Sequence, residues 1–189
     1  MAPPEGFPVP STTEAPSEPQ AFDFERVFVE QASFTWNSLR RLGVPSADLD
    51  DAIHDVFVAV YRQRDSYDPT RSLRAWLFGF AHRVAANQRR TIRRRREDYD
   101  TDLELQSSAP LQDDLLAERQ RQRLFHQLLD TLSLERRAVL IMHDVDGEAM
   151  ADVASALGIP VNTAYSRLRL AREDLLAAGR RFRAQRGEL

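Results

Sequence analysis

Between Arg71 and Arg96 the chain carries nine arginines and no aspartate or glutamate, and Trp76, Phe78 and Phe80 stand among them. Guanidinium groups meet phosphates as planar forks, and aromatic faces stack on unpaired bases. The combination suits a nucleic-acid strand held by both its backbone and its bases. A plainer reading makes Leu73, Trp76, Leu77, Phe80, Ala81 and Val84 the inner stripe of a helix and leaves the arginines merely solvated. Solvated faces, however, usually mix signs and gain pairs four residues apart. The missing acids therefore favour a polyanion partner. Trp76 and Phe80 are expected in the core. Phe78, off the stripe, is expected to be exposed. Arg71, Arg74, Arg83, Arg89 and Arg90 read as a phosphate track.

A second chemistry lies in MADVASALGIPVNTAYSRLRLAREDLL, residues 150–176. Gly158 separates two helical patterns, Ala154 precedes it by four, and Val153, Leu157 and Ile159 are apolar. A small residue at the helix crossing and a glycine in the turn are what a helix-turn-helix needs. Its second helix is expected from about Pro160 to Leu175. There Asn162, Thr163, Tyr165, Ser166 and Arg169 would reach base edges, and Arg167 and Arg172 would lie nearer phosphates. The alternative is a helical hairpin with a solvated arginine face.

Other polar clusters fit less demanding roles. Asp48, Asp50 and Asp51 crowd a helix start, where the macrodipole favours anions. With His54 and Asp55 they lack the convergence of a metal site, and Asp51, His54 and Asp55 read instead as an acidic docking face. HDVDG, residues 143–147, lacks the remaining ligands of a calcium loop and reads as a turn. There is no cysteine, no Ser/His/Asp set, no glycine-rich phosphate loop and no paired-carboxylate cleft. No enzyme, cofactor or metal is expected.

The elements that must position these residues are helical. A chain of 189 residues with 42% hydrophobic content allows one or two small domains. Residues 22–42 show helical periodicity through Phe24, Val27, Phe28, Phe34 and Leu39, with Gly43 as a stop. Ser46 is the expected cap of a second helix, carrying Leu49, Ile53, Val56, Phe57, Val60 and Tyr61 and ending near Arg64. Ser72 caps the arginine-rich third. Helix resumes near Leu115 and runs to Asp130, and Ser133 starts another. The net charge of −3 conceals two basic blocks around an acidic linker, and all 26 basic residues are arginine. The fold class expected is all-α: two small helical domains, 22–96 and 115–182, joined by a flexible acidic linker at 97–114, the second domain with a helix-turn-helix. Residues 1–21, rich in proline, serine and threonine, read as disordered, and 183–189 as a tail. The N-terminus lacks the basic and apolar regions of a signal peptide, and no apolar run is long enough for membrane insertion.

Taken together, DLDDAIHDVFVAVYRQRDSYDP (48–69) and RSLRAWLFGFAHRVAANQRR (71–90) resemble domain 2 of bacterial extracytoplasmic-function (ECF) sigma factors. LLDTLSLERRAVLIMHDVDGEAMADVASALGIPVNTAYSRLRLAREDL (128–175) resembles their domain 4. The resemblance implies a cytoplasmic initiation subunit that binds core RNA polymerase and directs promoter recognition and DNA melting, commonly restrained by an anti-sigma factor. It places contact with the clamp coiled coil of the largest polymerase subunit at Asp51, His54, Asp55 and Phe57, and contact with the flap on the second domain. Minus-ten promoter DNA would meet Tyr67, Arg74, Trp76, Arg83, Asn87 and Arg90, and the minus-thirty-five element the last helix. The acidic linker resembles the segment that threads toward the polymerase cleft. His54 stands where glutamine is typical, and Arg83 and Asn87 where asparagine and aspartate are common, so promoter sequence does not carry over. The competing function is a helix-turn-helix regulator that works without polymerase.

Overall fold

The computed structural model describes residues 22–98 and 113–185. The proline-rich start, the acidic stretch 99–112 and the last four residues lie outside the described residues. So do the side chains of 92–119, among them Arg93–Arg96. Every regular element among the described residues is a helix, with no strand among them.

Helix α1 spans Phe24–Arg41 and starts where the Asp23 carboxylate accepts the Arg26 backbone N–H at 3.0 Å. Gly43, at φ +90°, turns the chain so that the Val44 N–H donates to the Leu39 carbonyl. Helix α2 spans Leu49–Gln63. Ser46 does not cap it. A 3-10 turn, Ser46–Asp48, comes first, in which the Asp48 N–H donates to the Pro45 carbonyl at 2.9 Å. Asp50 and Asp51 do occupy the first turn of α2. Helix α3 spans Leu73–Asp98, and the Ser72 hydroxyl accepts the Ala75 N–H at 3.2 Å, as its sequence position predicts. Leu39, Leu42, Leu49, Val56, Val60, Leu77, Phe80 and Ala81 fill the space between the three helices.

Helix α4 spans Asp113–Asp130 and α5 Leu134–Leu140, capped by Ser133. The HDVDG stretch turns later than expected. The chain winds through a π-helical segment, Ile141–Val145, before Gly147 at φ +76° breaks it. Helices α6 (Met150–Leu157) and α7 (Val161–Gln185) form the helix-turn-helix. Gly158 adopts the left-handed conformation, φ +65°, ψ +37°, and the Ile159 N–H closes the turn on the Ala154 carbonyl at 3.0 Å. Val153, Ala154, Ala164 and Leu168 are buried at the crossing. Helix α7 runs well past Leu175.

The halves share one continuous core, because α6 packs on α3. This overturns one sequence expectation. Phe78 is fully buried, at 0% exposure. It lies on the helical stripe of Ala75 and His82, beside Gly79, which touches α6. A stripe that faces solvent in an isolated three-helix unit is here covered by the other half. Phe57, which the resemblance placed at a partner contact, is 4% exposed, with its ring between Phe24 and Phe28.

Candidate nucleic-acid interface

The loop between α2 and α3 begins as a 3-10 turn, Arg64–Ser66. Asp68 fixes its next bend, accepting from the Thr70 N–H at 2.9 Å and the Thr70 hydroxyl at 2.7 Å. Those two bonds hold the Asp68 carboxyl below the usual carboxylate range. Tyr67 donates its hydroxyl to the Arg71 carbonyl at 3.0 Å, which lays its ring toward the start of α3. There the rings of Tyr67 and Trp76 stand 5.1 Å apart, and Trp76 meets Phe80 edge-on at 4.9 Å. The Arg83 guanidinium lies 4.3 Å over Phe80. Tyr67, Trp76, Phe80 and Arg83 thus line one cleft of about 410 Å³, with Arg71 at its edge and Asp152 of α6 across it.

The structure divides the other α3 residues. Arg74 turns aside, its guanidinium 5.3 Å over the Phe34 ring. Asn87 lies in a separate groove with Asp48, Asp51, Asp55, Val84 and Gln88, and Arg90 donates to its amide oxygen. Asp51, His54 and Asp55 are exposed on α2 as expected, and two of them face α3 across this groove. Sequence reasoning missed Phe22. Its ring meets Tyr67 at 5.6 Å and Trp76 at 5.7 Å, completing an aromatic triangle. Periodicity gives no signal for this, because Phe22 lies before α1 and its partners are a loop and another helix.

On α7, Asn162, Tyr165, Ser166 and Arg169 form one exposed stripe at helical spacing, with Tyr165 55% exposed. Thr163 is half-buried, and its carbonyl accepts the Ser166 hydroxyl at 2.9 Å. Arg169 pairs with Glu173 at 2.7 Å. Arg172 forks onto both oxygens of Asp144, at 2.7 and 2.8 Å, and holds that carboxyl low. Arg167, expected nearer phosphates, is half-buried, and its charge is felt by His82 of α3.

Two family models match this chain, one described as Sigma-70 region 2 over residues 28–96 and one as Sigma-70, region 4 over 116–175. RNA polymerase sigma factor NccH of Alcaligenes xylosoxydans xylosoxydans is 31% identical over 147 residues, covering 73% of this chain and 76% of that protein. The chain belongs to the RNA polymerase sigma factors. The ECF RNA polymerase sigma-E factor of Escherichia coli K12 is 28% identical over 142 residues, covering 70% and 74% respectively. In fold, the sigma factor is similar to RpoE of Bartonella quintana in its complex with the anti-sigma factor NepR, with a TM-score of 0.66, 24% identity, and coverage of 81% of this chain and 94% of that one. The first matched region contains α2, the cleft residues Tyr67, Trp76, Phe80 and Arg83, and α3 almost entire. The second contains the helix-turn-helix. Directing transcription initiation is accordingly what this sigma factor does.

One prediction follows from the seam between the halves of the sigma factor. Burial pushes the His82 imidazole down, against the pull of Glu135 and with the push of Arg83 and Arg167. Burial likewise lowers His126, with Arg40, Arg41 and Arg137 pushing down and Asp130 pulling up. Both histidines therefore take up protons at lower pH in the fold than in the unfolded chain, where imidazole titrates near pH 6.5. The unfolded state therefore binds more protons between the folded values and about 6.5, and stability falls as pH drops through that window. Thermal melts from pH 8 to pH 5 are expected to show this decline, and His82→Gln to flatten part of it.

Proposed function

We propose that this sigma factor docks core RNA polymerase through the exposed Asp51, His54 and Asp55 of α2, and passes the melted non-template strand over the Tyr67–Trp76–Arg83 cleft. Arg74, Asn87 and Arg90 act outside the cleft, toward the flanking promoter DNA. The α7 stripe Asn162–Arg169 grips the upstream minus-thirty-five duplex, with Thr163, Arg167 and Arg172 along its edges. Residues 22–96 and 115–182 are the working units, and the acidic stretch between them threads toward the polymerase cleft. The factor works in the cytoplasm, contributes no catalysis of its own, and is held in check by an anti-sigma factor, as RpoE of Bartonella quintana is seen bound to NepR.

The observation that carries this reading is the aromatic cleft edged by Arg71 and Arg83. Unstacking a base costs a few kcal/mol, and aromatic stacking returns about 1–3 kcal/mol per base, with guanidinium contacts to phosphate added. Such a surface stabilises an open strand more than a closed duplex. The test is run-off transcription with purified core polymerase on promoter DNA. Polymerase plus this chain is expected to give a specific transcript, and polymerase alone none. Tight promoter binding by the chain alone, with no stimulated transcript, would overturn the reading in favour of a polymerase-independent regulator.

A further inference from the structure

We infer that Asp144 is a positioning residue for minus-thirty-five recognition: by forking Arg172 it fixes the angle at which α7 presents its stripe to the duplex. The inference deepens the reading of the α7 stripe given above and rests on it.

The fork is the first observation. Arg172 donates from Nε and Nη2 to the two oxygens of Asp144, at 2.8 and 2.7 Å. That edge of a guanidinium is the one a phosphate would take in a bidentate contact. Arg172 therefore lies along the edge of the stripe with its fork already held inside the protein. Arg169 differs. It pairs with Glu173, four residues on in the same helix, so that contact moves with α7 and orients nothing. The Asp144–Arg172 pair spans 28 residues and ties α7 to another element.

The second observation is the base on which Asp144 stands. It belongs to the π-helical segment Ile141–Val145, a geometry that recurs at functional sites. Ile141 and Met142 beside it are fully buried. The Asp146 N–H donates to the Ile141 carbonyl and the Glu148 N–H to the Met142 carbonyl, both at 2.9 Å. His143 Nδ1 lies 2.9 Å from the Glu148 carbonyl oxygen. A carboxylate on a segment so tied down can orient the group it holds.

The third is a second pair on the other flank. Arg136 of α5 pairs with Asp174 of α7. At 3.6 residues per turn, positions 172 and 174 lie roughly opposite each other around the helix. The two pairs thus grip α7 from both sides, with its cation used on one and its anion on the other. Exposed ion pairs add little stability, so the value of this grip is direction. Asn162 precedes Arg172 by ten residues, about 15 Å of helix. A tilt of about 10° at Arg172 would move Asn162 by about 2.6 Å, close to a whole hydrogen-bond length.

The experiment uses holoenzyme assembled from the full chain and purified core polymerase. Its probes are a duplex that wild-type holoenzyme selects from a random-sequence pool, and the same duplex with the minus-thirty-five element scrambled. Asp144→Asn and Arg172→Gln are each expected to bind the selected duplex about tenfold more weakly. Both are expected to bind the scrambled duplex as wild type does and to keep the wild-type salt slope. The double variant is expected to be no weaker than either single one, because both remove one pair. Arg172→Lys should recover part of the loss, since an ammonium reaches a carboxylate oxygen but cannot fork. Melting temperatures are expected to move by no more than about 4 °C. Suppose instead that Asp144→Asn binds as tightly as wild type or tighter, while Arg172→Gln lowers the salt slope by about 1. Arg172 is then a phosphate contact, and the inference is overturned. Equal losses on both duplexes would overturn it too, because positioning must act on the specific site alone. If wild-type holoenzyme does not distinguish the two duplexes, the reading of the α7 stripe fails, and the inference with it.

Discussion

Phe80→Ala is expected to lower the unfolding free energy by about 3–5 kcal/mol, the usual cost of emptying a buried aromatic site. Phe80 is 2% exposed, so little of the cavity can fill with solvent. The same ring positions two proposed strand contacts: Trp76 abuts it at 4.9 Å, and the Arg83 guanidinium rests on it at 4.3 Å. Removing it releases both, and open-complex formation should fall further than with either Trp76→Ala or Arg83→Ala. Arg83 is exposed, and its substitution is expected to cost only about 1 kcal/mol of stability, the cation–π share at such a site. Urea unfolding measures the first effect. Permanganate reactivity of promoter thymines, with polymerase bound and below the melting temperature of the variant, measures the second. If Phe80→Ala melts promoters as well as wild type does, the cleft does not handle the open strand.

Reversing the docking charges is expected to act on binding and leave the fold intact. Asp51 and Asp55 are exposed, and neither makes an ion pair among those resolved in the described residues. Asp55→Arg is the cleaner variant, because Asp51 sits in the first turn of α2, where its charge adds about 0.3–1 kcal/mol through the helix dipole. Surface changes of this kind typically alter stability by about 0.5 kcal/mol or less. A like charge set against a complementary partner costs several kcal/mol. With about 1.4 kcal/mol per factor of ten, the double variant Asp51→Arg/Asp55→Arg should bind core polymerase at least about 100-fold more weakly. Fluorescence anisotropy with labelled protein and purified core polymerase reads this directly, and an unchanged dissociation constant would remove α2 from the proposed interface.

Much of this molecule was legible in its sequence, for reasons that are local. Ser72 and Ser133 mark helix starts because a hydroxyl satisfies a free N–H wherever it stands. Gly158 marks the helix-turn-helix corner because a left-handed residue there strongly favours glycine. The stripe Asn162–Arg169 follows from helical period alone. What escaped was set by contact between distant segments. Phe78 looked exposed because no pattern within α3 announces that α6 will cover its other side. Phe57, assigned to docking by the resemblance alone, is buried against α1, which lies beside it in space only. Phe22 joined the aromatic cleft through a loop. Ser46 lost its capping role to a 3-10 turn, a local alternative that the same residues also satisfy. Arg167, expected nearer phosphates, is half-buried because it lies toward the α3 seam.

The Arg41–Asp146 pair joins residues 105 positions apart on a single covalent chain. Its two ends therefore cannot drift apart as separate molecules would. Contacts between tethered partners form at an effective concentration fixed by the connecting chain, on the order of millimolar for short tethers, however dilute the protein. Lowering the number of copies in a cell therefore leaves this contact as it is.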